Sequence, residues 1–178
     1  MARAAITALK GDIVAQSDCD GIVNSANAHL IAGSGVCGAI YKAAGPQLEP
    51  YTARLAPLGL GEALASPAFE LGCRYIIHTR GPKYFEDPDP PENLVKCIRN
   101  AIALADQNGL VRLAVPAIST GVYGYPTKLA VPILVKAARQ MVGRVTSLEE
   151  IRFVVVSDEL LELFRQSLTE TAIDALGR

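Results

Sequence analysis

Strands alternating with helices, apolar strand segments, and two glycine-rich loops, one after a strand and the other between strand and helix, predict an α/β fold. The expected form is a single three-layer α/β/α sandwich over residues 1–178, with a mostly parallel, mixed central sheet. The chain has 178 residues, of which 50% are hydrophobic and 20% charged. That length buries a proper core, and that composition belongs to a globular chain.

The elements follow in order. Residues 3–9 and 21–24 read as short strands, the second built on Ile22 and Val23. Residues 39–44 read as a short helix, and 47–55 as another that Pro50 limits to a first turn or kinks. Residues 62–65 form a candidate strand, and 74–79 a stronger one carrying Tyr75, Ile76 and Ile77. An acidic proline segment, 87–92, reads as a rigid surface loop. Leu94, Cys97, Ile98, Ala101, Ile102 and Ala105 then recur at helical spacing, and Asn108-Gly109 stops that helix.

Residues 112–115 form the next strand. Pro126 suits the first turn of a helix running towards Met141, and Pro132 should kink that helix or shift its start. Residues 151–156 are almost continuously apolar, as in a strand covered on both faces. Asp158 is the expected cap of a last helix whose apolar face is Leu160, Leu161, Leu163 and Phe164. No segment is long enough to divide the chain.

Seventeen Lys and Arg face 18 Asp and Glu, a net charge of −1. A general nucleic-acid binder carries a basic excess, so specific nucleic-acid binding is not expected, and local geometry must hold any anionic ligand. Cys19, Cys37, Cys73 and Cys97 have no C-x-x-C spacing, and His29 and His78 do not cluster with them. No metal site is expected, and no cofactor. The first residues lack the apolar run of a secretion signal, and no segment is long enough to span a bilayer. The expectation is a cytoplasmic chain with reduced thiols and no membrane contact.

GSGVCG at residues 33–38 matches G-x-G-x-x-G literally. A dinucleotide fold needs a strand running straight into the glycines and an acid about 20 residues later. Residues 24–32 intervene here, and the next acids are Glu49 and Glu62. That reading fails, but the physics survives. Glycines let backbone N–H groups approach a phosphate, and the following helix presents its positive end. The second loop, STGVYGYP at 119–126, follows an apolar strand and lacks the G-K-[ST] of a Walker loop. Either loop alone reads equally as an ordinary turn; two in one chain favour a phosphate-bearing ligand.

Five segments, from GDI at 11–13 and VNSAN at 23–27 through the first glycine loop, YIIHT at 75–79 with Gly81-Pro82, and PAISTGVYGYP at 116–126, resemble the macrodomain family. The resemblance runs from about Ala4 to Phe164. It is nearest the MacroD-type branch, which removes mono-ADP-ribose from proteins and deacetylates O-acetyl-ADP-ribose. It implies ADP-ribose, free or on a protein, as the partner. Asp12 would accept from the adenine amino group, with Ile13 beside it; its plainer reading is a turn or cap aspartate. Ser119, Thr120, Gly121, Val122, Tyr123 and Gly124 would wrap the diphosphate, helped by Gly33, Gly35 and Val36. Tyr123 would also lie against the distal ribose, or else be a half-exposed loop tyrosine. Val156 and Ser157 would line the adenine end.

Asn27 would bind the distal ribose near its reactive carbon, while Asn24 would hold the strand-to-loop turn. His78 reads as a packed core histidine and His29 as a surface residue. One departure matters. The MacroD-type branch has an acid in a G-V-D-G pattern, and a frequent histidine four residues on. Here Cys37 and Tyr41 occupy those places. The acid is thought to orient water at the anomeric carbon. Cys37 is then either a thiol near a helix start, with a lowered pKa, or a small buried hydrophobe. Some viral and archaeal relatives with alanine there still cleave mono-ADP-ribose links. The resemblance therefore implies a slow hydrolase using Asn27, with or without Cys37. The alternative is a non-catalytic ADP-ribose reader. A polymer- or RNA-binding module is less favoured, given the neutral charge.

Overall fold

In the computed structural model, residues 3–176 are described; the ends of the 1–178 span lie outside them. One six-stranded sheet runs in the order β1-β6-β5-β2-β4-β3. Its strands are β1 (Ala5–Lys10), β2 (Gly21–Ser25), β3 (Ala63–Pro67), β4 (Tyr75–Thr79), β5 (Arg112–Val115) and β6 (Glu150–Val155). All pairings are parallel except that of β3 with β4, an antiparallel edge. The sheet is mostly parallel and mixed, as the sequence predicts.

Among the described residues five helices cover it: α1 (Gly35–Ala44), α2 (Leu48–Ala53), α3 (Pro90–Gln107), α4 (Thr127–Met141) and α5 (Asp158–Leu176), with a short 3₁₀ turn at Ile13–Ala15. Strand residues alternate between two cores. Val23, Ile77, Leu113 and Phe153 join the core under α3, α4 and α5. Ile22, Ile76, Ala114 and Val154 join the core under α1, with Cys37, Ile40, Tyr41 and Ala44.

Several elements differ from the sequence reading. α1 begins at Gly35, four residues before the expected 39. Its buried stripe, Cys37-Ile40-Tyr41-Ala44, has helical spacing, and that packing overrides the poor propensity of two glycines. α3 begins at Pro90, whose missing N–H costs nothing in a first turn. α4 starts at Thr127, directly after Pro126, so Pro132 does not shift that start. Pro132 is exposed, where water can satisfy the carbonyl that loses its partner. The cap of α5 is Ser157, not Asp158: Leu160 N–H donates to Ser157 Oγ at 3.2 Å. Asp158 is instead the first helical residue and pairs with Lys10 Nζ at 2.9 Å.

The topology creates a crevice. After β2 the chain leaves on the α1 face and reaches β4; after β5 it leaves on the opposite face, through α4, and reaches β6. β2 and β5 are neighbours in the sheet. Adjacent parallel strands whose connections leave on opposite faces form a topological switch point, where ligands bind in open α/β sheets.

Candidate functional site

A cleft of about 890 Å³ opens at that switch point. The β1 and β6 ends supply one extremity, through Lys10, Asp12, Ile13 and Val156. The first loop and the start of α1 form one wall, with Asn27, Gly33, Gly35, Val36 and Cys37. The second loop forms the facing wall, with Ser119, Thr120, Gly121, Val122 and Tyr123. Sequence reasoning selected all of these except Lys10. It missed others, among them Ser25, Ala39, Pro116, Val154 and Leu160. Lys10, Ser25 and Pro116 sit at the carboxyl ends of parallel strands, so strand order would have revealed them.

Two selected residues lie outside the lining. Gly124 turns away behind the second loop at φ 69°, with Phe85 against it. Ser157 is spent on the α5 cap, so only Val156 of that pair faces the cleft, 73% exposed.

The walls present backbone donors. α1 has no side-chain cap on its first turn, and the N–H groups of Gly35, Val36 and Cys37 find no acceptor among the described residues. They carry the positive end of the helix dipole. Across the cleft, the N–H groups of Gly121, Val122 and Tyr123 are also without acceptors, while the carbonyls of Ala117, Ser119 and Gly121 close the turn behind them. Lys10 is the one cationic side chain among the described lining residues, and it is paired with Asp158. Backbone amides, not side-chain charge, are what this cleft offers an anion.

Asp12 has both of its sequence readings open to it. Its Oδ1 accepts from Val14 N at 3.1 Å and caps the 3₁₀ turn. Its residue also lines the cleft, leaving the second oxygen for a ligand.

The other extremity holds Asn27, Cys37 and Tyr123. The Asn27 amide shapes its own loop: Nδ2 donates to Ile31 O at 2.8 Å, and Oδ1 accepts from His29 N at 3.1 Å and Ile31 N at 3.3 Å. One amide hydrogen remains free of these bonds. Tyr123 is half-buried, and burial pushes its hydroxyl pKa up against the pull of Lys83 and Arg80. Its Oη reaches Ala26 O at 3.5 Å.

Cys37 lines the cleft with only 6% of its surface exposed. Burial pushes its thiol pKa up, and the bond from Asn24 does not overcome that. The helix start does not produce the lowered pKa that would favour a thiolate. Behind it runs a buried polar line. Asn24 Nδ2 reaches Cys37 Sγ at 3.7 Å and His78 Nδ1 at 3.1 Å, and His78 Nε2 meets Ser66 Oγ at 2.9 Å. Asn24 does not hold the strand-to-loop turn, which Asn27 shapes: its amide is spent on Cys37 and His78, and its buried Oδ1 has no partner among the described residues. His78 is a fully buried core residue whose pKa burial pushes down to about 4. His29 is exposed. Among the described residues no cluster of His, Cys, Asp or Glu is suited to a metal, and no helix is long and apolar enough to cross a membrane.

The chain is similar to known proteins in sequence and in fold. The family model described as Macro domain matches residues 23–134. A macro domain-containing protein of Ralstonia nicotianae is 42% identical over 93% of this chain and 95% of its own length. An O-acetyl-ADP-ribose deacetylase of Salmonella typhimurium is 37% identical over 93% of this chain and 95% of its own. The Oceanobacillus iheyensis macrodomain solved with ADP superposes with a TM-score of 0.88 at 34% identity, covering 94% of this chain and 91% of that one. A mutant of it was solved with ADPR.

Proposed function

The chain belongs to the Macro domain family, and on that premise we propose that it binds ADP-ribose along the cleft and hydrolyses bonds at the distal ribose. The substrates would be mono-ADP-ribosylated protein or O-acetyl-ADP-ribose. The observation that supports this is the pair of amide rows without acceptors among the described residues, Gly35–Val36–Cys37 and Gly121–Val122–Tyr123, which line one cleft together with Asp12 and Asn27. A diphosphate suits the rows, an adenine amino group suits the free Asp12 oxygen, and a ribose suits the Asn27 end. A single, already paired lysine favours one compact nucleotide over a long polymer, which needs cations along its track.

Hydrolysis here would rest on positioning. Among the described residues that line the Asn27 end none is a carboxylate, Glu49 being bonded to Ala32 N behind it, and burial pushes the pKa values of its thiol and phenol up. The amides would fix the diphosphate, Asn27 and Tyr123 the ribose, and a substrate phosphate oxygen would orient the attacking water. Positive charge developing on the ribose would be met by the phosphate oxygens of the substrate itself, and the proton of the attacking water would pass to substrate phosphate or solvent and not to a protein base. General acid–base help is worth about 10²–10⁴-fold, so a slow enzyme is the expected outcome. The same missing carboxylate favours the second reading, a reader that binds without turnover.

Turnover of a substrate mono-ADP-ribosylated on acidic residues, compared between wild type and Asn27→Ala, separates the two. ADP-ribose binding is measured alongside, because Asn27 also braces its loop. Turnover that Asn27→Ala abolishes supports the enzyme. Binding without turnover leaves the reader, and no binding at millimolar ADP-ribose removes both.

A further inference from the structure

Leu30, midway along the loop that joins β2 to α1 (residues 26–34, ending in the first glycines), lies in the left-handed region at φ 54°. A leucine stays there only where its surroundings over-determine it. Its side chain is fully buried in a small cluster with Ala26 and Leu58. Its carbonyl accepts two hydroxyl bonds, from Tyr41 Oη at 2.7 Å and from Thr52 Oγ1 at 2.7 Å. Those hydroxyls come from α1 and α2 and stand 3.1 Å apart. Glu49, on the same turn of α2, accepts from Ala32 N at 2.8 Å. On the far side, Leu58 N donates to Ala28 O at 2.8 Å. Two helices and the segment after them thus grip the loop through its backbone.

We propose that Tyr41 and Thr52 are positioning residues that latch the Leu30 carbonyl, and so hold the first loop in its ligand-ready shape before any ligand arrives. Asn27 lies just before the latch, and the α1 amide row just after it. A loop already ordered pays less conformational entropy on binding. The role suits a cleft whose Asn27 end carries no carboxylate among its described lining residues, where positioning is what remains. It also gives Tyr41 a function of its own, since its hydroxyl turns to the backbone of the loop and not to the cleft. Only the affinity part of the test rests on the ADP-ribose reading.

The test is amide hydrogen exchange on the full chain, with Tyr41→Phe, Thr52→Val and Thr52→Ser. The His29, Ile31 and Ala32 amides should exchange about two- to tenfold faster in Tyr41→Phe and in Thr52→Val, the scale of one net hydrogen bond. Thr52→Ser keeps the hydroxyl and should behave as wild type. The double variant leaves a buried carbonyl without a partner and should exceed the product of the single effects. Amides of Ile98 and Ile102 in α3 report global opening and should not change. ADP-ribose affinity, by calorimetry, should fall about two- to tenfold with the exchange. Unchanged loop exchange in Tyr41→Phe overturns the latch, as does an equal rise in α3 or a Thr52→Ser variant as fast as Thr52→Val. If wild type binds no ADP-ribose, the proposed function fails while exchange still decides the latch.

Discussion

The thiol of Cys37 donates to the carbonyl oxygen of Ile31 at 3.6 Å, and that same oxygen takes the Asn27 amide at 2.8 Å. The residue in place of the family's loop acid is therefore a weak brace on the loop that carries Asn27. A thiol is a poor donor, and this one is held protonated by burial. Cys37→Ala should leave turnover within about twofold of wild type and cost about 1 kcal/mol of stability or less, the scale of a modest hydrogen bond. A large loss of turnover at unchanged ADP-ribose affinity would make the thiol a participant.

Cys37→Asp tests the same position from the other side. The site sits in the first turn of α1, where a carboxylate is electrostatically favoured, and Asn24 Nδ2 already points at it. The cleft gives the new group a route to water. Turnover should rise towards about 10²-fold, the lower end of general-base effects. Near-complete burial costs some stability, so unfolding is measured too. A well-folded aspartate variant no faster than wild type would count against aligning this loop with the enzymatic branch.

His78 predicts a pH dependence of stability. Burial holds its folded pKa down at about 4, against an ordinary 6.5. The unfolded chain then takes up a proton below pH 6.5 that the folded chain refuses. Stability is fully present above 6.5 and falls as pH drops towards 4. At about 1.4 kcal/mol per pH unit, moving from pH 7 to pH 5 should cost roughly 2 kcal/mol. Asp18, Asp106 and Glu150 have lowered pKa values and respond only at more acid pH. Denaturant unfolding at the two pH values measures the loss, and His78→Gln should remove most of it. An equal loss in the variant would assign the effect elsewhere.

The parts of the fold that were readable carry a period. Ile76-Ile77 and Phe153–Val155 are apolar runs, the latter preceded by the ion-paired Arg152, and the α3 stripe from Leu94 to Ala105 keeps helical spacing. Boundaries depended on contacts and were not readable. α1 starts at Gly35 because Cys37 and Tyr41 bury their faces, although glycine disfavours it. Ser157 and Asp158 are both good caps, and the strand ending at Val155 decided between them. The site was legible as motifs but not as a site. Asp12, Asn27 and Gly121 are far apart in sequence and meet only because the parallel strands before them end at one edge.

The glycines of the two loops should differ sharply. A Cβ at Gly121 would meet nothing within 4 Å, so Gly121→Ala should fold normally. Gly121→Glu should fold as well but abolish ADP-ribose binding, because its carboxylate would reach the amide row. At Gly38 a Cβ would run into the carbonyl oxygen of Gly33. Gly38→Ala must therefore push the first loop off α1, and should lower the unfolding midpoint. Calorimetry and thermal unfolding on the three variants check the pattern. Wild-type affinity in Gly121→Glu would mean that the diphosphate lies elsewhere.

Asp12 has two jobs that one substitution confounds and two separate. Asp12→Ala removes the cap on Val14 N as well as the free carboxylate oxygen. Cap loss costs about 0.5–2 kcal/mol of stability, and loss of a charged hydrogen bond about 1.5–3 kcal/mol of affinity. Asp12→Asn keeps an oxygen for the cap, so its stability should stay near wild type. Its other atom becomes an NH₂ donor, which faces the adenine amino group as donor against donor. ADP-ribose affinity should then fall as far as in Asp12→Ala, or further, while the unfolding midpoint barely moves. Inosine diphosphate ribose carries a carbonyl in place of that amino group. The asparagine variant should therefore recover affinity for it relative to ADP-ribose, and wild type should show the opposite order. Equal affinities of both proteins for both ligands would place the base away from Asp12 and leave that residue as a cap alone.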